Sequence, residues 1–329
     1  MRYNVKTDGT KRNKRFERLC VIDQHSLKHK LERELKNSGK EVVDGNGFLY
    51  AKGDIPILLT AHLDTVHKQL PKEIIYEKGR ISSPQGIGGD DRCGVYMVME
   101  IIKEFPCHVI FFEDEEKGGI GSDKFTETEL CESLKGKLNY AIDLDRMNSH
   151  DAVYYSQDNF TFEKFIESKF WKIAYGSFTD ICNICPVLEC AGVNLSCGYY
   201  KHHTTGEYVV LAEMENAIKE VKKLIARTNE ETDKFEYIAR KWNSKYSGLF
   251  DSGYSYDDYE NYGYYSYDYT TKKKKEDFIS TSCFEVEFES ERGIESEFVD
   301  AMTYEEAVGF FLIDHPTMTY NDIKEIYEV

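Results

Sequence analysis

Five short stretches of this chain set histidines and carboxylates where they could hold metal ions. The first is AHLDTVH (61–67). His62 follows a short apolar run and Asp64 lies two residues on. A metal-bound imidazole needs a carboxylate or carbonyl on its other ring nitrogen to fix tautomer and orientation. Asp64 suits that task better than direct ligation. In the second stretch, QGIGGDDRCG (85–94), glycines let the backbone turn tightly. Asp90 then projects at a helix start, where a carboxylate is favoured. One carboxylate can bridge two cations; the alternative is that Asp90 or Asp91 caps the helix.

The third stretch, FFEDEEKGGIGS (111–122), puts adjacent acids at the end of a buried strand. Neighbouring side chains there point in different directions. Glu116 can then bind metal while Glu115 acts as general base toward a water. Glu113 and Asp114 read as a solvated acidic loop. In the fourth, NYAIDLDR (139–146), Asp143 and Asp145 share a strand face. Asp145, nearer the carboxyl end, is the better ligand. In the fifth, GYYKHHTTGEYV (198–209), either His202 or His203 could bind metal. Together they supply two histidines and three carboxylates in the order His, Asp, Glu, Asp, His. Such a mixed nitrogen and oxygen set suits two divalent ions, zinc first, with cobalt or manganese as alternatives.

This ordered set resembles the clan MH metallopeptidases, which include dizinc aminopeptidases, peptidase T and related carboxypeptidases and deacylases. AHLDTV looks like that clan's His-x-Asp motif, GGDDRCG its Asp-Asp-x-x-Gly motif, and DEEKGGIG its Glu-Glu-x-Gly motif. HTTGEYV looks like its His-Thr-x-x-Glu-Tyr-Val ending, which selects His203; IDLDR is the loosest match and favours Asp145. The resemblance covers roughly residues 15–228. It implies one ion held by His62, Asp90 and Asp145, a second held by Asp90, Glu116 and His203, Glu115 as the base and Asp64 as the partner of His62. Only 57 residues lie between Asp145 and His203. That is too short for the lid or dimerisation domain many relatives insert there, so the chain resembles the lidless, aminopeptidase-like type. The implied activity is cleavage of a peptide or amide bond. The alternatives are an N-acyl amino acid amidohydrolase or deacylase, and a catalytically degenerate binding or scaffold protein.

The elements that must position these residues read as an α/β fold. Residues 13–37 carry spaced apolar positions that predict one or two helices. EVVDGNGFLYAKG (41–53) predicts a hairpin. Ile55–Ala61, His108–Phe112, Tyr140–Leu144 and Val193–Ser196 predict buried strands, and residues 93–102 and Leu211–Ala226 predict helices. Strands alternating with helices argue for a mixed, mostly parallel central sheet flanked by helices, of zinc-exopeptidase type. Ligands bind such sheets beyond the carboxyl ends of the strands.

The expected organisation is a catalytic domain (1–243), a Tyr/Asp/Ser-rich linker (244–277) and a small acidic α+β module (278–329). In the module, Phe284, Val286 and Phe288 alternate with acids as in a strand. Thr303-x-x-Glu306 reads as a capping box before a helix (307–313), and Thr319 could cap another. The module is too small to be robust alone and is expected to pack on the main body or pair with a protein partner.

The chain has 329 residues and a net charge of −17. Residues 230–329 hold 24 acids against 10 bases, which argues against a nucleic-acid partner. No apolar run is long enough to span a membrane, and the polar N-terminus lacks a signal-peptide core. The expected location is cytoplasmic, with the nine cysteines reduced. Cys182, Cys185, Cys190 and Cys197 read as buried thiols rather than a zinc knot. Asp180 either lines the pocket or caps a turn.

Overall fold

A computed structural model of the protein describes residues 3–240, 282–290, 293–301, 311 and 323–328. In chain order the strands and helices begin β1 (Asn4–Thr7), α1 (Lys14–Cys20), α2 (Gln24–Asn37), β2 (Val42–Gly45), β3 (Phe48–Ala51) and β4 (Ile55–His62). They continue with β5 (Glu73–Glu77), β6 (Arg80–Ser82), α3 (Gly89–Ile101), β7 (Cys107–Phe112), α4 (Ile120–Thr126), α5 (Glu129–Leu134) and β8 (Tyr140–Arg146). Next come β9 (Asp151–Val153), α6 (Phe160–Ile166), β10 (Lys172–Ala174), α7 (Asp180–Leu188), β11 (Gly192–Ser196), β12 (Tyr199–Tyr200), β13 (Tyr208–Val210) and α8 (Leu211–Arg227). The last strands are β14 (Ser282–Ser290), β15 (Gly293–Ala301) and β16 (Ile323–Glu328).

The described residues form two compact units, 3–174 with 178–240, and 175–177 with those from 282 onward. The first is built on an eight-stranded sheet ordered β10-β9-β11-β8-β4-β7-β3-β2. Its centre, β11-β8-β4-β7, is parallel. The neighbouring pairs β11–β9 and β7–β3 are antiparallel. The sheet is therefore mixed with a parallel heart, as the sequence pattern predicts. β4 explains why its residues IPILLTAH read as a continuous apolar run rather than an alternation, since both its faces are covered. Ile57, Leu59 and Ala61 enter one core cluster, with residues of α1, α2, α3 and α8; Leu58 enters a second, with Phe125, Cys131, Ile184 and Leu188.

The helices follow local chemistry. Asp23 caps α2 by accepting the Ser26 N–H at 2.9 Å, and Leu27, Leu31 and Leu35 bury one stripe of it. In α8 the buried stripe is Met214, Ala217, Ile218, Val221, Leu224 and Ile225. Helix α3 lies so close to β8 that a Cβ on Gly94 would fall 1.8 Å from the Leu144 carbonyl oxygen, so glycine is required there. A second sheet, β1-β5-β6-β13-β12, carries the hairpin that holds His202 and His203. The stretch between Asp145 and His203 adds β9, β10 and β11 to the main sheet and, apart from residues 175–177, belongs to the first unit.

In the second unit, β14 pairs with β15 and β16 in an antiparallel sheet, and Val286, Phe288 and Phe311 are buried together. The 244–277 linker, the 303–306 capping box and Thr319 lie outside the described residues. Among those residues no helix is long and apolar enough to cross a membrane.

Candidate metal centre

Three neighbouring parallel strands bring their carboxyl ends together. His62 closes β4, and in the β4–β8 register Thr60 pairs with Asp143. Side chains alternate at period 2, so His62 and Asp145 lie one step further along on the same face. β7 ends at Phe112, level with His62. The chain then makes a short 3₁₀ turn, Glu115–Lys117, entered through Asp114 at φ +60°. Glu115 and Glu116 thus stand on this turn rather than on the strand.

The side chains converge. His62 Nε2 lies 3.0 Å from Asp90 Oδ1 and 3.4 Å from Asp145 Oδ1. His203 Nε2 lies 3.3 Å from Asp90 Oδ2 and 3.0 Å from Glu116 Oε2. Each oxygen of Asp90 therefore faces a different histidine. Glu115 Oε2 is 3.9 Å from His62 Nε2. On the far side of the imidazole, Nδ1 meets Asp64 Oδ1 at 3.1 Å. Asp64 also accepts the backbone N–H groups of Glu115 (3.0 Å) and Glu116 (3.2 Å). One carboxylate thus orients His62 and anchors the turn bearing both glutamates.

The structure separates the pairs that the sequence leaves open. His203, at φ +60° in the β12–β13 connection, reaches Asp90 and Glu116. His202 instead packs its ring edge-on to His203 and Tyr199. Asp143 turns to hydroxyls, accepting from Thr60 and Thr179 at 2.5 Å each, while Asp145 faces His62. Asn194 holds the Asp145 backbone at both its N–H (3.0 Å) and its carbonyl (3.1 Å). The capping alternative applies to Asp91, not Asp90. Asp90 and Asp91 have non-helical backbone angles, with a cis peptide bond between them. Asp91 accepts the Gly94 N–H at 2.8 Å and the His62 N–H at 3.1 Å.

Other expectations need correction. Glu113 and Asp114 are not a freely solvated loop: Glu113 pairs with the nearly buried Lys28 at 2.6 Å, and Asp114 with Lys117 at 2.8 Å. Thr179 occupies the N-cap position of α7, so Asp180 is no cap. Asp180 is buried, and its Oδ1 has no hydrogen-bond partner among the described residues. The described cysteines are free thiols, and among the described residues no candidate metal group includes one.

The residues suit bound cations. Burial pushes the Glu115 carboxyl up to about 10, reinforced by Asp145, Asp180 and Glu116. Burial likewise pushes Asp145 up to about 8, with Asp90 adding to it. Asp90 and Glu116 hold the His203 imidazole up to about 10. Crowded buried carboxylates that draw positive charge onto the imidazoles form a donor set that metal cations would satisfy. Glu116 Oε1 is buried without a hydrogen-bond partner among the described residues, as expected of an oxygen reserved for a cation. Two ligand groups meet here, His62/Asp90/Glu116 and His62/Glu115/Asp145. A third, His29/Glu32/Asp44, lies elsewhere. There Lys36 pairs with Glu32 and Lys28 with Asp44, which makes it an ion-pair cluster.

Two residues beyond the expected set hold the site. Arg92, 1% exposed, donates to the carbonyls of Leu19, Ile22, Leu63 and Asp64. Glu207, fully buried, accepts the Asp90 N–H. The D-D-R and T-G-E stretches contain them, but nothing in their spacing tells a buried partner from a surface charge.

The sequence model of peptidase family M28 matches residues 49–183, a span that includes every candidate except His203. No curated protein sequence matches the chain. Among solved structures, a tripeptidase from Staphylococcus aureus is similar at 16% identity and a TM-score of 0.52, over 65% of this chain and 97% of its own. An aminopeptidase from the archaeon Desulfurococcus kamchatkensis is similar at 14% identity and a TM-score of 0.51, over 66% and 94%. A TET aminopeptidase from a marine-sediment Thaumarchaeota archaeon is similar at 16% identity and 0.50, over 66% and 97%. The chain has the fold of these peptidases, and its residues 49–183 resemble peptidase family M28.

Proposed function

We propose that the protein is a metal-dependent peptidase, an aminopeptidase or small-peptide peptidase working with two divalent ions, zinc by preference. The observation that carries this reading is Asp90, whose two oxygens face His62 at 3.0 Å and His203 at 3.3 Å. His62, Asp90 and Asp145 would hold one ion, and Asp90, Glu116 and His203 the other. Such a pair, when bound, supplies an acidified water and polarises the scissile carbonyl. The family match, the shared fold and the donor set all support a metallopeptidase.

The chain's own residues would do the rest. Glu115 accepts the proton of the attacking water and returns it to the leaving nitrogen. Its raised carboxyl is matched to giving the proton back, and a nearby cation would lower it, leaving the carboxylate ionised and free to take the proton. Asp64 keeps the Nδ1 hydrogen on His62, so that Nε2 is free to ligate. Thr60 and Thr179 hold Asp143, and Thr179 also reaches Asp145 Oδ2, whose Oδ1 is aimed at His62.

The test is Glu115→Gln in metal-reconstituted protein, assayed on aminoacyl anilides and on N-acetyl amino acids. Turnover should fall about 10²- to 10⁴-fold, with metal content unchanged. Full activity in this variant would remove Glu115 from the base role. Cleavage of the N-acetyl substrates alone would replace the aminopeptidase reading with a deacylase.

A further inference from the structure

Glu207 is no ligand in this reading, yet its side chain is completely buried beside the site. Its Oε1 accepts the Asp90 N–H at 3.0 Å. Its Oε2 accepts the Gly88 N–H at 2.7 Å and lies 2.8 Å from His67 Nε2. The carboxylate can only accept, so the hydrogen sits on Nε2 of His67. The surrounding glycines make room for this arrangement. A Cβ on Gly86 would fall 2.2 Å from the His67 ring, and one on Gly89 would lie 3.3 Å from Glu207 Oε1. The glycines of QGIGGDD therefore clear space for side chains as well as turning the backbone: Gly86 for His67, and Gly89 chiefly for Val209 and Tyr199 with Glu207 behind them.

We infer that Glu207 is the positioning residue for Asp90, and that His67 locks Glu207 in place. This rests on reading Asp90 as the shared metal ligand. Asp90 must present one oxygen towards His62 and the other towards His203, so the plane of its carboxylate depends on the backbone of residues 88–90. Glu207 grips that backbone at two amides two residues apart. It also belongs to the β12–β13 connection that carries His203. A single buried carboxylate thus ties the Asp90 loop to the His203 loop, and sets the registry between the two ligands that face each other across the second ion position.

The test is a zinc titration by calorimetry on chelator-stripped, full-length protein, with Glu207→Gln, His67→Phe and His67→Gln in parallel. Each sample is also loaded with cobalt, whose visible absorption reports ligand geometry. The amide nitrogen of Gln at 207 must confront either the Asp90 N–H or the Gly88 N–H. Glu207→Gln should therefore weaken zinc binding roughly 10- to 100-fold and shift the cobalt bands, with the apo-protein's circular dichroism unchanged. His67→Phe should show a smaller loss in the same direction, and His67→Gln, which keeps an N–H donor, should recover part of it. Parent-like affinity and cobalt bands in Glu207→Gln would overturn the inference. If Glu207→Gln does not fold, the His67 pair decides: parent-like affinity in His67→Phe overturns it equally. A parent protein that binds no zinc overturns the metal reading and this inference with it, whereas a parent that binds zinc no better than its variants overturns the inference alone.

Discussion

Replacing Asp64 with Asn tests how far the centre depends on a residue that need not touch the ions. Asp64 is 8% exposed and receives three donors: His62 Nδ1 at 3.1 Å, Glu115 N–H at 3.0 Å and Glu116 N–H at 3.2 Å. Asn keeps one oxygen. If that oxygen stays toward His62 and Glu115, the new NH₂ confronts the Glu116 N–H; if the amide flips, two bonds are lost. At least one charge-assisted bond disappears, at a cost of about 1.5–3 kcal/mol. Removing the partner of a metal-ligating histidine independently suggests a 10- to 100-fold loss of metal affinity, on the order of 1.4–2.7 kcal/mol. The two routes agree. Calorimetric zinc titration of the stripped protein should show a dissociation constant raised by that factor, with much of the activity restored at saturating zinc. An unchanged dissociation constant would refute the argument that Asp64 acts through His62.

Arg92→Leu strips hydrogen-bond donors from the buried carbonyls of Leu19, Ile22, Leu63 and Asp64, at about 1–3 kcal/mol for each group left unmet; chemical denaturation should show a loss of at least about 3 kcal/mol. Glu17 is fully buried, and accepts from Arg12 at 2.6 and 2.8 Å, Tyr3 at 2.9 Å and Tyr76 at 2.9 Å. Burial alone would raise its carboxyl, but Arg12, Tyr76 and Tyr3 carry it below the ordinary range. Its stabilisation is therefore complete above the unfolded value, about 4.3, and is lost as pH falls through the lower folded value. Glu17→Gln should melt lower than the parent at pH 7, and the gap should narrow as the pH drops below about 4; a gap independent of pH would contradict this.

The sequence carried the heart of the sheet because parallel strands buried on both faces write long apolar runs. Residues 55–61 and 108–112 stand out for that reason. It also carried the order of the converging residues, since His62, Asp90 and Glu116 each sit in a short, recognisable motif. The second sheet was not legible. Its strands have two to five residues, and β6 finds β13 far along the chain, so no local pattern marks them. His203 could be told from His202 only through the resemblance, whereas Asp145 was preferred to Asp143 by its place nearer the strand's carboxyl end; physically, each choice depends on hairpin backbone angles and on where Thr60 and Thr179 point. Arg92 and Glu207 were missed because a charge enclosed by carbonyls or amides looks the same in sequence as one in water. Glu113 was misread for the converse reason: Lys28, its partner, lies on α2, far away along the chain.

A pair of cations sharing Asp90 can be counted: zinc ions bound per chain are measured as stripped protein is titrated at neutral pH, for the parent and for Asp90→Ala. Two ions in the parent and a loss of tight binding at both positions in the variant are the predicted result. No zinc in the parent, or two ions still held tightly without Asp90, would contradict it.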